Sequence, residues 1–494
     1  MKDLKERTLR GGIAKIFAQG ASFLLRVGSL IVLARLLDPE DFGLVAMVTA
    51  IAGVFSVLKD AGLSAATVQR DTISNDQMST LFWVNMLVGL TLAFLLIASA
   101  PIIVTLYHEP RLFWVTVALA VDFVFAGAMA QHSALLQRQM RFDTIALIDI
   151  IALLAGMIVA VAMAVGGLGY WALVGQAVIL PVACAICTWT AVRWIPGMPR
   201  RNVGIRSMMR FGGTVTLNVI VVYIAYNIEK VLLGRFWGAD ALGIYGRAYQ
   251  LINVPTSNLN SAFGGVVFSA LSRIQDDPNR LKSYFLKGYS MFLTLTLPIT
   301  LSCALFADDI VLVLLGPKWT EAAPIFRLLA PTILVFALIN PLGWLLFATG
   351  RVERSLKVAF VLAPLVIAAV VAGIPYGPSG VAFAYSAVMM AWVIPHIAWC
   401  IHGSVISLWD IVRILRPIFI SGIIAAVLGF AVQYFYSWML SPIPRLVLES
   451  SVLFGSYFLM FMYGMKQKGM YLDIFRTLWR GPSIEEKEKE AAIN

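Results

Sequence analysis

Apolar residues come in blocks of about twenty from one end of this chain to the other, the length an α-helix needs to cross roughly 30 Å of hydrocarbon. Short connections rich in charge, Gly or Pro separate the blocks. Only 13% of the 494 residues are Asp, Glu, Lys or Arg, while 60% are AVILMFWYC and the mean hydropathy is +0.84. Soluble globular chains carry roughly 25% charged residues, and half that number cannot cover a water-facing surface. A soluble enzyme and a nucleic-acid-binding domain are therefore excluded. A membrane β-barrel would show alternating segments of about ten residues, which are absent, so the expected fold is all-α and polytopic.

Breaks between apolar runs place fourteen spans near 13–37, 42–61, 81–107, 112–136, 145–165, 170–191, 208–233, 241–271, 284–305, 322–347, 356–374, 380–401, 411–436 and 446–465. The first is too long for a signal-peptide core. The expected organisation is a six-helix lobe over 1–192, a linker over 193–207, a second six-helix lobe over 208–404, an extra helix pair over 405–466 and a tail over 467–494.

The net charge of +11 is foremost a topology signal. Alternate connections hold the cations: Lys2, Lys5, Arg7 and Arg10; Arg70; Arg138 and Arg141; Arg193, Arg200, Arg201 and Arg206; Arg273, Arg280 and Lys282; Arg351, Arg354 and Lys357; Arg413 and Arg416; and the tail. The opposite connections, among them DPED, YHEPR, GRFWGAD and the stretch around Lys318, hold few. Both termini are thus expected in the cytoplasm. Trp83, Trp114, Trp171, Trp237 and Trp319 fall near span ends, where amphipathic rings meet headgroups.

An internal repeat appears at an offset of 200 residues: LARLLDPEDFGLV (33–45) over LGRFWGADALGIY (233–245), with Leu33, Arg35 and Gly43 recurring as Leu233, Arg235 and Gly243. An even number of spans separates the copies, so both enter the membrane in the same direction and are related by an axis along its normal.

Charge inside a membrane is costly and marks function. In the first span Lys15, Gln19, Ser22, Arg26 and Ser29 form one polar stripe at helical spacing. The seventh repeats the design with Thr216, Tyr223, Tyr226 and Lys230 on one face and Asn227 beside them; the eighth adds Arg247, Gln250 and Asn253 and contains Pro255. Two readings stand side by side: a seam between helices closed by hydrogen bonds, or the lining of a wet cavity. Arg26 and Lys230 lack an opposite charge three or four residues away, which favours a cavity or an anionic ligand. Asp60, Asp122 and Glu229 are candidates for ion coupling, since a carboxyl in low dielectric can hold a proton. Cys184 and Cys187 sit in an apolar run without a second ligand pair, and no metal spacing or catalytic motif occurs.

The opening GGIAKIFAQGASFLLRVGSLIVLARLLDPEDFGLVAMV, then LKDAGLSAATVQR, LLGRFWGADALGIYGRAYQL and LLGPKWTEAAPIFRLLAPT, taken in order, resemble the Wzx-type (PST) polysaccharide flippases of the multidrug/oligosaccharidyl-lipid/polysaccharide (MOP) exporter superfamily. The resemblance implies two pseudo-symmetric lobes about a cavity lined by spans 1, 2, 7 and 8. It implies passage of an undecaprenyl-diphosphate-linked oligosaccharide across the bacterial inner membrane for exopolysaccharide, capsule or O-antigen assembly, with no catalysis and no cofactor beyond a coupling proton or sodium ion. Polymerase and chain-length machinery would be partners, together with membrane lipids. On that reading Lys15, Gln19, Arg26, Tyr223, Tyr226, Asn227, Lys230 and Arg247 bind substrate. A MATE-like small-molecule exporter, which should have an acidic cavity, and a membrane-embedded polymerase or ligase, which usually needs a large external loop, are the alternatives.

Overall fold

The computed structural model describes residues 2–59, 67, 73–200, 223, 227–436 and 440–469, with side chains from residue 19 onward. Among the described residues there are helices and no strands. The helices are α1 (Lys2–Leu36), α2 (Pro39–Lys59), α3 (Asn75–Tyr107), α4 (Leu112–Leu119), α5 (Val121–Arg138), α6 (Phe142–Val165), α7 (Trp171–Val192) and α8 (Ile228–Arg273). They continue with α9 (Pro278–Leu305), α10 (Ala307–Leu314), α11 (Ala322–Leu329), α12 (Pro331–Ala348), α13 (Val352–Gly373), α14 (Gly377–Ile401), α15 (Leu408–Tyr436) and α16 (Pro442–Leu459).

Local chemistry sets several of these boundaries. Ser74 caps α3 reciprocally with Gln77: the Gln77 N–H donates to the Ser74 hydroxyl while its side-chain oxygen accepts from the Ser74 N–H. Asp277 caps α9, with Pro278 at its first position. The long α8 bends at Gly238, whose φ of 83° only glycine adopts readily. Prolines at 101, 181, 255, 298 and 341 lie inside helices, a pattern membrane helices tolerate.

Eleven helical segments among the described residues are long and apolar enough to cross a membrane. Of the fourteen expected spans, most of 208–233 lies outside the described residues, 241–271 falls in the polar α8, and 356–374 and 380–401 form α13 and α14, joined by a single 3₁₀ turn.

The chain forms two compact units. The first contains Met1–Gln250, Leu314–Ile325 and Ala359–Val388; the second contains Leu251–Val313, Phe326–Val358 and Met389–Asn494. In the first unit α6 packs on α7 and α1, α3 packs on α5, and Leu44, Val115, Leu242, Tyr245 and Trp319 have no exposed surface. The second is built on α9, α12, α15 and α16 around Phe285, Tyr289, Leu342, Ala425 and Tyr457.

Candidate functional site

The polar face of α8 and the residues just before it meet α2 within the first unit. Asn227 donates its amide to the Tyr223 carbonyl at 2.9 Å and accepts from Lys230 Nζ at 2.7 Å. Tyr223 reaches α2, its hydroxyl donating to the Ala50 carbonyl at 3.4 Å. The Lys230 ammonium lies 5.5 Å from the Tyr249 ring centroid, and Tyr249 stacks on buried Tyr245 at 6.3 Å. Between Tyr245 and Tyr249 in sequence, the Arg247 guanidinium covers the Phe42 ring of α2 at 3.9 Å and donates to Gln250 Oε1. Both cations are thus held by neutral groups and ring faces, and among the described residues neither has a carboxylate within 4.0 Å.

Glu229 sits beside them in the first turn of α8, 2% exposed. Neither of its oxygens has a hydrogen-bond partner among the described residues. Lys230 and the hydroxyls of Tyr223 and Tyr245 are close enough to feel its charge.

Tyr223, Asn227 and Lys230 are therefore brought together as their spacing predicts, with Arg247 on the same helix. Arg26 is exposed on α1 and has a different charge neighbour, Asp149 on α6. Further along that stripe Ser29 is buried and accepts a hydrogen bond from Gln176 of α7 at 3.0 Å, so this end of the stripe is a helix seam. Gln19 is exposed. Asp122 accepts from Lys59 Nζ at 3.0 Å, an ion pair between α2 and α5. The side chain of Lys15, and Tyr226 and Asp60, lie outside the described residues. Phe42, Tyr245 and Tyr249 were not singled out from the sequence, because an aromatic at helical spacing reads as core; the i, i+4 placement of the two tyrosines beside a lysine face was the available signal.

The connections low in Lys and Arg converge at one end of this unit. Lys318 Nζ pairs with Asp38 at 2.6 Å, Arg111 joins Glu40 at 2.6 Å and Glu109 at 2.8 Å, and Trp319 donates to the Ala34 carbonyl at 2.7 Å. The Arg111 guanidinium holds the Glu109 carboxyl below the usual carboxylate range. Asp240, two residues after the Gly238 bend of α8, is pushed the other way by burial and by the negative charges of Glu321, Glu40 and Asp38.

Here the internal repeat takes physical form. A Cβ on Gly43 would fall 1.7 Å from the Ala239 carbonyl oxygen, and one on Gly243 would fall 1.9 Å from the Pro39 oxygen. Residues 39 and 43 meet residues 243 and 239, so each elbow seats its glycine against the backbone of its own repeat counterpart. Leu33 and Leu233 are both buried and Arg35 and Arg235 both exposed.

The fold is similar to that of the lipid II flippase MurJ in its inward closed conformation, with a TM-score of 0.74, covering 92% of this chain and 99% of that one at 12% identity. Residues 32–324 match the family described as polysaccharide biosynthesis protein, and the chain belongs to it. It is 30% identical over 304 residues to the teichuronic acid biosynthesis protein TuaB of Bacillus subtilis (strain 168), covering 60% of this chain and 62% of the relative. It is 29% identical over 374 residues to the lipopolysaccharide biosynthesis protein WzxC of Escherichia coli (strain K12), covering 75% and 76%. The match thus spans somewhat under two thirds of the first relative's length and about three quarters of the second's.

Proposed function

We propose that this protein is a flippase that moves an undecaprenyl-diphosphate-linked oligosaccharide across the bacterial inner membrane for surface polysaccharide assembly, and that it works as a transporter and not as an enzyme. The observation that carries the reading is the pair Lys230 and Arg247, held in place by neutral partners and so electrically open to an anion. Family membership supplies the pathway, and the polyprenyl diphosphate is the charged group that a lipid-linked sugar brings into the membrane. Arg247 can engage a diphosphate through two parallel N–H bonds, whereas Lys230 acts as a point charge. Tyr223, Asn227 and Gln250 offer donors and acceptors to sugar hydroxyls, with Arg26, Gln19 and Lys15 extending the polar surface along α1.

In this reading fourteen spans form two like-oriented six-helix lobes and a terminal helix pair, with both termini in the cytoplasm. The glycine elbows at 43 and 243 close the outer end, and rocking of the lobes alternates access to the polar face. Glu229 is the leading candidate for proton or sodium coupling, ahead of Asp122, which Lys59 already neutralises, and Asp60. Polymerase and chain-length proteins would receive the product. A MATE-like exporter of small cations fits less well, because the two helix-8 cations would repel its cargo.

Complementation of a flippase-deficient strain tests this directly. Lys230→Ala and Arg247→Ala, each present in the membrane at wild-type level, are expected to lower surface polymer at least about tenfold, the loss of one charge-assisted contact. Full export by both variants sinks the reading.

A further inference from the structure

The second unit holds a group of ionisable side chains that the transport reading leaves unused. α16 places Arg445 and Glu449 four residues apart on one face. Arg445 forks onto Asp309 of the short helix α10, with Nε donating to Oδ2 at 2.8 Å and a terminal nitrogen donating to Oδ1. The two side chains are 19% and 4% exposed, so this pair is largely withdrawn from solvent. Asp308, the next residue, is taken by Arg327 at 2.5 Å.

Glu449 has no exposed surface, and neither carboxylate oxygen has a hydrogen-bond partner among the described residues. Its charged neighbours are Asp309 and Arg445, with Asp308 reaching the same guanidinium. α16 also packs on α15 and α9. There Gly429 of α15 rests on Leu453, and one turn along the neutral Gln433 donates to the Leu305 carbonyl at the end of α9 at 3.3 Å. Among the described residues, Arg445 is the positive charge that acts on Glu449.

The cluster therefore has two carboxylates and one guanidinium, and Asp309 has the guanidinium. An ionised Glu449 would be a second buried negative charge whose oxygens have no hydrogen-bond donor among the described residues, a state that burial penalises heavily. A metal ion is a poor remedy: the adjacent guanidinium repels it, and no cluster of three His, Cys, Asp or Glu side chains able to hold one occurs among the described residues. We propose that Glu449 is a proton-binding site that fastens the terminal helix α16 to α10. With its carboxyl protonated the cluster is neutral and packs; when the O–H bond breaks and the proton leaves to solvent, the remaining charge opposes Asp309 and the clasp loosens.

The test uses the full-length protein purified in detergent and does not read transport, so its failure is distinct from failure of the flippase assignment. Because the folded state binds the proton, stability is held at low pH and lost as pH rises. Wild type is expected to lose at least about 2 °C in Tm between about pH 5 and about pH 9 beyond the change seen in Glu449→Gln, which keeps the shape of the protonated acid. In infrared spectra the carboxylic-acid C=O band of wild type at low pH should lose one component in Glu449→Gln. Identical pH profiles for the two proteins, or an unchanged band, overturn the proposal. A sodium-dependent rise in wild-type Tm at fixed pH that Glu449→Gln lacks overturns the choice of a proton over a metal cation.

Discussion

Arg247 shows what distinguishes a ligand-ready cation from a structural one. Its guanidinium lies on the Phe42 ring at 3.9 Å and is oriented by Gln250, so its charge is positioned without being neutralised. Lys59 is the opposite case, fixed to Asp122 at 3.0 Å. Arg247→Lys keeps the charge and loses both the planar stacking and the two-point fork, and export should fall about three- to tenfold, close to the effect of losing one ring contact of about 1 kcal/mol. Restoration of full export by lysine would mean that charge alone suffices. The face holding Tyr223 and Lys230, with Asn227 beside it, was legible from helical period, because hydrogen bonds at i, i+3 and i, i+4 follow the same geometry. The partners of Asp122 and Arg247 were not. Lys59 and Phe42 are far away in sequence, and periodicity within one helix carries no information about which helix lies opposite.

At the scale of elements, the elbow between α1 and α2 and the one at Gly238 in α8 pack backbone against backbone. The contact of Gly43 with Ala239 and of Gly243 with Pro39 leaves no room for a side chain. Gly43→Leu or Gly243→Leu should hold the elbows apart and reduce export at least about tenfold, consistent with overpacking at about 1–3 kcal/mol. Gly246→Ala, where a Cβ meets nothing within 4 Å, should be tolerated and serves as the control. Asp240 adds a pH dependence. Its carboxyl holds a proton more tightly in the packed elbow than in water, because of burial and the charges of Glu321, Glu40 and Asp38. The contribution is present at low pH and lost as pH rises through the elevated value. Pulsed EPR between spin labels at exposed positions 36 and 236 should show the distance lengthening with pH, and Asp240→Asn should flatten the response. The repeat that lines up 33–45 with 233–245 rests on three identities, yet it located these elbows, since glycine is the residue that close backbone approach demands. At Gly238 the backbone leaves helical geometry, with φ 83° and ψ −174°, so the run Ile228–Arg273 is two helices meeting at a kink, and the break falls in the connection GRFWGAD that the charge pattern marks.

At the scale of the whole molecule, hydropathy was enough to give the class, because the hydrocarbon thickness sets the length of every apolar block. The exact number of spans was less legible, since polar residues within a helix lower its hydropathy below that of its neighbours, as they do in α8. Glu229, Lys230, Arg247 and Gln250 all fall on that run. The most direct measurement reconstitutes the purified protein in liposomes with a fluorescent undecaprenyl-diphosphate-linked oligosaccharide and follows how much of it becomes accessible at the opposite leaflet. The account predicts protein-dependent movement that falls at least about tenfold in Arg247→Ala and that excess soluble diphosphate inhibits. Movement that is equal with and without the protein, or unaffected by loss of Arg247 and Lys230 together, would contradict it.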